Sequence, residues 1–311
     1  MEPSNTHQPV LLSEVVTLLA VVPDGVYVDG TFGRGGHSRA ILDKLDQHGK
    51  LVVIDRDPEA VTAAGQRFGG DARVVIKHGS FADIGTIVRE QGLQGRVNGV
   101  LLDLGMSSAQ LDTAGRGFSF QHDGPLDMRM DPSTGPSAAQ WLAQAAQQDI
   151  AAVLFEFGEE RYGRRIARAI VQARQEAPIE TTGRLAAIIA KAVPTREYGK
   201  DPATRSFQAI RIFINHELDA LRGCLSQILD VLAPGGRVAV ISFHSLEDRI
   251  VKRFIRSQSR GDELPPGLPV KEADRHPRMR PVGKPVYPGE AEITRNPRAR
   301  SAVLRVAEKL A

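Results

Sequence analysis

Residues 25–45, GVYVDGTFGRGGHSRAILDKL, run from a short apolar segment through a glycine-crowded turn into an amphipathic stretch. Val26, Tyr27 and Val28 read as a buried strand and residues 37–45 as a helix. DGTFGRGGHS (29–38), between them, holds Gly30, Gly33, Gly35 and Gly36. Ordered glycine costs backbone entropy and is worth that cost where something approaches the main chain closely. The rhythm then repeats: KLVVIDRD (50–57), PEAVTAAGQRF (58–68), ARVVIKHG (72–79), DIGTIVREQ (83–91) and VNGVLLDLG (97–105). Continuous Val/Ile/Leu runs separated by helices predict parallel strands covered on both faces, a doubly wound α/β sheet.

Beyond residue 112 the rhythm stops. Residues 113–212 contain helical and turn-rich text without a strand pattern, as in SAAQWLAQAAQQDIAAVLFEFG and RRIARAIVQARQ. They are read as a helical insertion, with residues 1–112 and 213–311 forming the discontinuous α/β domain. The stretch 207–232 reads as helical throughout, with Phe207, Ile210, Ile214, Leu218 and Leu221 at helical spacing. APGGRVAVISF (233–243) supplies a turn and a buried strand, LEDRIVKRFIRSQ (246–258) a helix, and SAVLRVAEK (301–309) a last strand. The Pro- and charge-rich segment 257–300 is too long for an ordinary connection; it is read as a functional or disordered basic loop and as a second candidate RNA surface.

Composition removes several classes. Hydrophobic residues make up 41% and charged residues 25% of the 311, ordinary for a globular chain. Cys224 is the only cysteine, which excludes a disulfide framework and a thiolate zinc site. No apolar run approaches a membrane span, and MEPSNTHQPV lacks the regions of a secretory signal, so a cytoplasmic location is expected. The net charge is only +3, yet from Arg249 onward fifteen Lys and Arg face seven Asp and Glu. A polyanion such as nucleic acid fits that asymmetry, as does a merely solvated basic surface.

Ligands of open parallel sheets lie beyond the carboxyl ends of the strands. There the sequence places Asp29 with the glycines and His37, then Asp55, Phe81, and Asp103 followed by Gln110. Glycines followed by an acid suggest a dinucleotide, but Ser38 stands where the third glycine of G-x-G-x-x-G belongs, and no G-x-x-x-x-G-K-[ST] loop exists. A nucleoside without phosphates, such as S-adenosylmethionine, suits the pattern better. Asp55 would take its ribose diol, Phe81 its adenine and the glycine backbone its amino-acid end. A tight structural turn would use the same glycines.

The motifs DGTFGRGGHS, IDRDP, LLDLGMSSAQLD, GPLDMRMD, GEERYGRRIARAI, TRSFQAIRIFIN, APGGRVAVISFHSLEDRIVKRF and NPRARSAVLRVAE, in this order, resemble the bacterial ribosomal RNA small subunit methyltransferase H (MraW) family. The resemblance implies a class I, Rossmann-like S-adenosylmethionine-dependent methyltransferase fold with a helical insertion. It also implies methylation of N4 of one cytidine near the decoding site of 16S rRNA (cytidine 1402), with 16S rRNA in the small ribosomal subunit as partner. Carried to matching positions, it implies cofactor contacts at Gly35, Gly36, His37, Asp55, Phe81, Asp103 and Gln110; no metal-binding residue is singled out.

An exocyclic cytosine amine is a weak nucleophile, so alignment and hydrogen-bond acceptors for its protons are the protein's main contributions. Asp103, Ser107 and Ser108 supply polar groups at the fourth strand end, although Asp103 is equally a cofactor contact. In SFHSLEDR (242–249), Phe243 is a candidate for stacking on an extruded base and His244 for receiving a proton. A core Phe and a helix start would read the same way. A hydrolase is disfavoured because Ser245 lies outside a G-x-S-x-G elbow. Arg161, Arg164, Arg165 and Arg168 recur at i, i+3, i+4 and i+7, opposite Tyr162, Ile166, Ala169 and Ile170. That pattern predicts a docked helix with an outward arginine stripe for RNA phosphates, unless Glu160–Arg164 pairing makes it an ordinary solvated face. Residues 117–131 are read as a lid, with Phe118 and Phe120 fitting a core equally well.

Overall fold

Alternate residues of each strand face opposite sides of the sheet, and here both sides are apolar because both are covered. The computed structural model describes residues 9–195, 201–261 and 276–311. The chain divides into two compact units, Met1–Gly105 with Leu218–Ala311, and Met106–Glu217. These divisions fall at 105/106 and 217/218, against sequence-derived boundaries of 112/113 and 212/213.

The first unit runs α1 (Leu12–Leu19), β1 (Val26–Asp29), α2 (Gly36–Leu42), β2 (Lys50–Asp55), α3 (Pro58–Phe68), β3 (Val74–His78), α4 (Ile84–Glu90) and β4 (Val97–Asp103). The second unit carries α5 (Ser108–Asp112), α6 (Ala138–Gln144), α7 (Gln147–Gly158), α8 (Gly163–Glu176), α9 (Thr182–Ala192) and α10 (Thr204–Asn215). The chain continues with α11 (Glu217–Val231) and returns to the first unit for β5 (Leu232–Ser242), α12 (Ser245–Arg260), β6 (Met279–Pro281), α13 (Glu290–Arg295) and β7 (Val303–Lys309).

Among the described residues the strands form one sheet in the order β3-β2-β1-β4-β5-β7-β6. The first five are mutually parallel, with β1 between β2 and β4, so the order reverses at β1 and opens a crevice at its carboxyl end. β7 runs antiparallel to β5, and β6 antiparallel to β7. This is the Rossmann-like class I methyltransferase arrangement, with its parallel sheet closed by an antiparallel edge. One face buries Val28, Ile54, Val100, Leu102 and Val240 against α4, α11 and α12. The other buries Tyr27, Leu51, Val53, Leu101 and Ile241 against α1, α2 and α3.

In the second unit the core gathers Phe118, Leu126, Met128, Leu154, Ile166, Ile170, Ile189 and Ile210. Phe120 lies edge-on to Phe207 with centroids 4.8 Å apart, so both aromatics of the expected lid pack into this unit's own core. The single helix expected over 207–232 is two. It breaks at His216, whose φ of 51° caps α10 in the left-handed conformation. Asn215 beside it is 2% exposed and ties the turn to a distant loop. It donates to the carbonyls of Met128 (2.7 Å) and Arg211 (2.9 Å) and accepts the Met130 amide (2.7 Å).

Candidate active site

The loop after β1 is built by hydrogen bonds to both neighbouring strands. Gly30 N–H donates to Leu101 O of β4 (2.9 Å) and Phe32 N–H to Ile54 O of β2 (3.1 Å). Gly33 N–H donates to Asp55 Oδ2 (2.8 Å), and Asp103 N–H to Thr31 Oγ1 (2.6 Å). These bonds bring the residues predicted at the first, second and fourth strand ends to one edge of the sheet. Phe81 joins them from beyond β3: a Cβ on Gly30 would come within 3.1 Å of Phe81 Cβ.

The glycines have internal reasons as well. Gly33 and Gly35 have φ of 54° and 72°, a region that residues with a Cβ resist. A Cβ on Gly35 would strike the Phe32 ring at 2.5 Å, and one on Gly36 would collide with the Pro9 ring. Crowding from Phe32 and Pro9 therefore requires glycine at two of the positions that sequence reasoning attributed to an approaching ligand.

Carboxylates dominate the electrostatics. Asp29, 1% exposed, accepts the Ser38 hydroxyl (2.6 Å) and the Thr31 amide (3.1 Å), and its burial raises its pKa. Asp55 accepts the amides of Gly33 and Asp57 (each 2.8 Å), yet burial carries its pKa up to about 6. Asp103 is pushed up to about 8, first by burial and then by the charges of Asp29 and Glu247. Its side chain is a quarter exposed, while its Oδ1 is buried and has no hydrogen-bond partner. No Lys or Arg among the described residues pairs with Asp29 or Asp103.

His37 completes the cluster. Its Nε2 lies 3.0 Å from Val10 O. A carbonyl only accepts, so Nε2 carries the hydrogen and Nδ1 presents a lone pair. Burial lowers the His37 pKa to about 4, so the ring is neutral, and Nδ1 stands 3.6 Å from Asp103 Oδ2, beyond hydrogen-bonding reach.

At the end of β5, Phe243 packs partly against the core, with its ring 3.6 Å from where a Gly105 Cβ would lie. His244 is the N-cap of α12: its Nδ1 accepts the Glu247 amide at 3.4 Å. Glu247, 2% exposed, accepts the amides of Phe243 (2.8 Å) and His244 (3.3 Å) in return. His244 Nε2 lies 3.2 Å from Glu247 Oε1 but out of line for a hydrogen bond. The helix start that the stretch 242–249 also suggested is thus made by His244, an N-cap that the sequence does not announce because imidazole is an uncommon one.

The remaining predicted residues belong to the second unit. Ser107 and Gln110 form a capping box on α5, with Ser107 N–H donating to Gln110 Oε1 (3.0 Å) and Gln110 N–H to Ser107 Oγ (3.3 Å). Ser108 is the first residue of that helix. Arg164, Arg165 and Arg168 are exposed on α8, opposite buried Ile166 and Ile170. Arg161 precedes the helix and lies over the Tyr162 ring, 4.7 Å from its centroid. Glu160 is buried and accepts the Tyr162 amide (2.8 Å), so it does not neutralise Arg164. Residues 262–275 of the expected basic loop lie outside the described residues. Among the described residues, no cluster of His, Cys, Asp and Glu could hold a metal, and no helix is long and apolar enough to cross a membrane.

Comparison with known proteins adds three findings. Residues 4–310 match the model of a family described as the MraW methylase family. Two curated relatives bear the name Ribosomal RNA small subunit methyltransferase H. That of Thioalkalivibrio sulfidiphilus (strain HL-EbGR7) is 60% identical over 100% of this chain and 99% of its own. That of Coxiella burnetii (strain RSA 331 / Henzerling II) is 57% identical over 98% of this chain and 99% of its own. Among solved structures, an rRNA methylase from Streptococcus thermophilus aligns with 98% of this chain and 99% of its own, at 12% identity and a TM-score of 0.45.

Proposed function

This chain belongs to the MraW methylase family, and from that premise we propose that it is a cytoplasmic S-adenosylmethionine-dependent methyltransferase of small-subunit ribosomal RNA. Its target in this reading is N4 of cytidine 1402 in 16S rRNA, near the decoding site. The observation that carries the reading is Asp103: a carboxyl group at the switch point of the sheet, with one oxygen buried and unpartnered.

The residues present fit the cofactor. Asp29 and Asp103, lacking a Lys or Arg partner among the described residues, suit a ligand bearing positive charge. A cation would favour their anions, whereas the pyrophosphate of a nicotinamide dinucleotide would oppose them, which favours the sulfonium nucleoside over the oxidoreductase alternative. Gly35, Gly36 and His37 would hold its amino-acid end, Asp55 its ribose hydroxyls and Phe81 its adenine, with Gln110 as a further contact. S-adenosylmethionine, when bound, supplies a methyl group on a positively charged sulfur.

The chain's own contribution is orientation and proton management. Asp103 is mostly protonated in the unliganded protein at neutral pH, because burial and the charges of Asp29 and Glu247 disfavour its anion. A cation in the crevice favours that anion. The resulting carboxylate accepts a hydrogen from the cytosine amine, localises its lone pair and takes its proton. Neutral His37, fixed by Val10, presents no second positive charge to compete. His244, the residue after Phe243, shapes the end of β5 as the cap of α12, and Phe243 is the candidate stacking surface for the base. Arg164, Arg165 and Arg168, with Arg161, supply phosphate contacts.

Two measurements test the proposal. Calorimetry is expected to show heat of binding with S-adenosylmethionine and none with NAD. Labelled methyl groups are expected to pass to RNA of small ribosomal subunits. Binding of NAD alone, or labelled donor that leaves the RNA unlabelled, would overturn it.

A further inference from the structure

Helix α12 starts immediately after His244, at the carboxyl end of β5, and its 16 residues extend about 24 Å from that edge. Arg249, Lys252, Arg253, Arg256 and Arg260 fall at i, i+3, i+4, i+7 and i+11, and all are exposed. At 100° per residue they occupy one stripe about 100° wide. The opposite side is consumed by the core: Val251 and Ile255 are buried, and Ile250 and Phe254 pack beside them.

A solvated helix face ordinarily mixes signs and places an acid four residues before a lysine. The sequence offers that pair in Asp248 and Lys252, but the structure directs Asp248 elsewhere. It accepts Arg305 Nε (2.6 Å) and a second Arg305 nitrogen (3.0 Å), a bidentate clamp onto β7. The other acid, Glu247, is buried against the Phe243 and His244 amides. Lys252, Arg253, Arg256 and Arg260 have no ion pair or hydrogen bond among the described residues. Both carboxylates of the helix are thus withdrawn, and the charges it presents outward from Lys252 to Arg260 are all positive.

We propose that this face of α12, in addition to the arginines of α8, is a contact surface for RNA phosphates, leading away from the carboxyl edge of the sheet. The proposal rests on the reading that the substrate is ribosomal RNA. Charge complementarity selects the partner. An interfacial membrane helix needs an outward apolar face, whereas the apolar residues of α12 face the core and the stripe presents only Arg, Lys and Ser.

The test is the triple variant Lys252→Gln, Arg253→Gln, Arg256→Gln, which keeps good helix formers. Its affinity for 16S rRNA is measured beside the wild-type chain from 50 to 200 mM salt. Each lost phosphate contact removes roughly 0.7 from the slope of log affinity against log salt, so the slope is expected to fall by about 2 and the affinity at 100 mM tenfold or more. Thermal stability and calorimetric S-adenosylmethionine affinity are expected to stay at wild-type values. An unchanged slope and affinity in the variant would overturn the surface. So would wild-type binding to phosphatidylserine vesicles that the variant loses while its RNA affinity stays intact. Methyl transfer by the wild-type chain is measured in parallel: its absence refutes the function, whereas its presence with an unaltered salt slope refutes the α12 surface alone.

Discussion

Replacing Asp103 by Asn should trade activity for stability, with a sign that follows from the cluster around it. The folded chain holds the Asp103 proton up to about pH 8, against a value near 3.8 when unfolded. Because the folded state binds that proton more tightly, this group's contribution is fully favourable below pH 4 and is lost as pH rises towards 8. At roughly 1.4 kcal/mol per unit the loss would approach about 6 kcal/mol above pH 8. The side chain is a quarter exposed, and solvent screening reduces the figure to about 2–4 kcal/mol. Asn keeps the neutral shape at every pH and escapes the loss. Differential scanning calorimetry at pH 8.5 should therefore show the variant melting roughly 3–6 °C above the wild-type chain, with the gap closing by pH 4. Methyl transfer should fall by about a hundred- to ten-thousandfold, the range for a removed proton acceptor. S-adenosylmethionine at pH 8.5 should stabilise the wild type more than the variant, since the cation relieves a penalty only the carboxylate has. A variant no more stable than wild type at pH 8.5, or one with undiminished turnover, would refute the reasoning.

Three further outcomes are expected. Arg164→Glu with Arg168→Glu should weaken 16S rRNA binding and flatten its salt dependence without changing cofactor affinity; filter binding over a salt series decides, and equal affinity would contradict the role of α8. Gly35→Ala must place a Cβ on a residue with φ of 72°, against the Phe32 ring, and should cost about 2–4 kcal/mol in urea unfolding together with cofactor affinity. Asn215→Ala strands two carbonyls and an amide; a stability loss of about 2–4 kcal/mol is expected, and a loss below about 0.5 kcal/mol would show that the turn does not depend on that side chain.

The strand text from Val26 to Asp103 announces itself, because strands buried on both faces must be apolar at every position. Sheet order is another matter: no local feature of β7 says that it enters antiparallel beside β5, and the three-residue β6 has no pattern to read. The break at His216 escaped periodicity because Phe207 to Leu221 keeps its helical spacing across it. The turn is stabilised by Asn215 bonding to Met128 and Met130, more than eighty positions away. The same limit applies at the site. Asp29, Asp55 and Asp103 were legible as strand-end acids, but the crowding of Gly35 by Phe32 and Gly36 by Pro9 appears only once the chain is folded. Glu247 was legible only as a helix-start residue, and its charge on Asp103 is a tertiary effect. Arg161 shares the stripe's spacing but precedes the helix, since periodicity does not mark where α8 begins.

The most direct test is to identify the nucleoside made when this chain, labelled S-adenosylmethionine and small ribosomal subunits are incubated together. The account predicts a cytidine from the decoding region carrying the label on its exocyclic nitrogen, resolved by mass spectrometry of the digested RNA. Label on a ring carbon, on a ribose oxygen or on a base other than cytosine would contradict it.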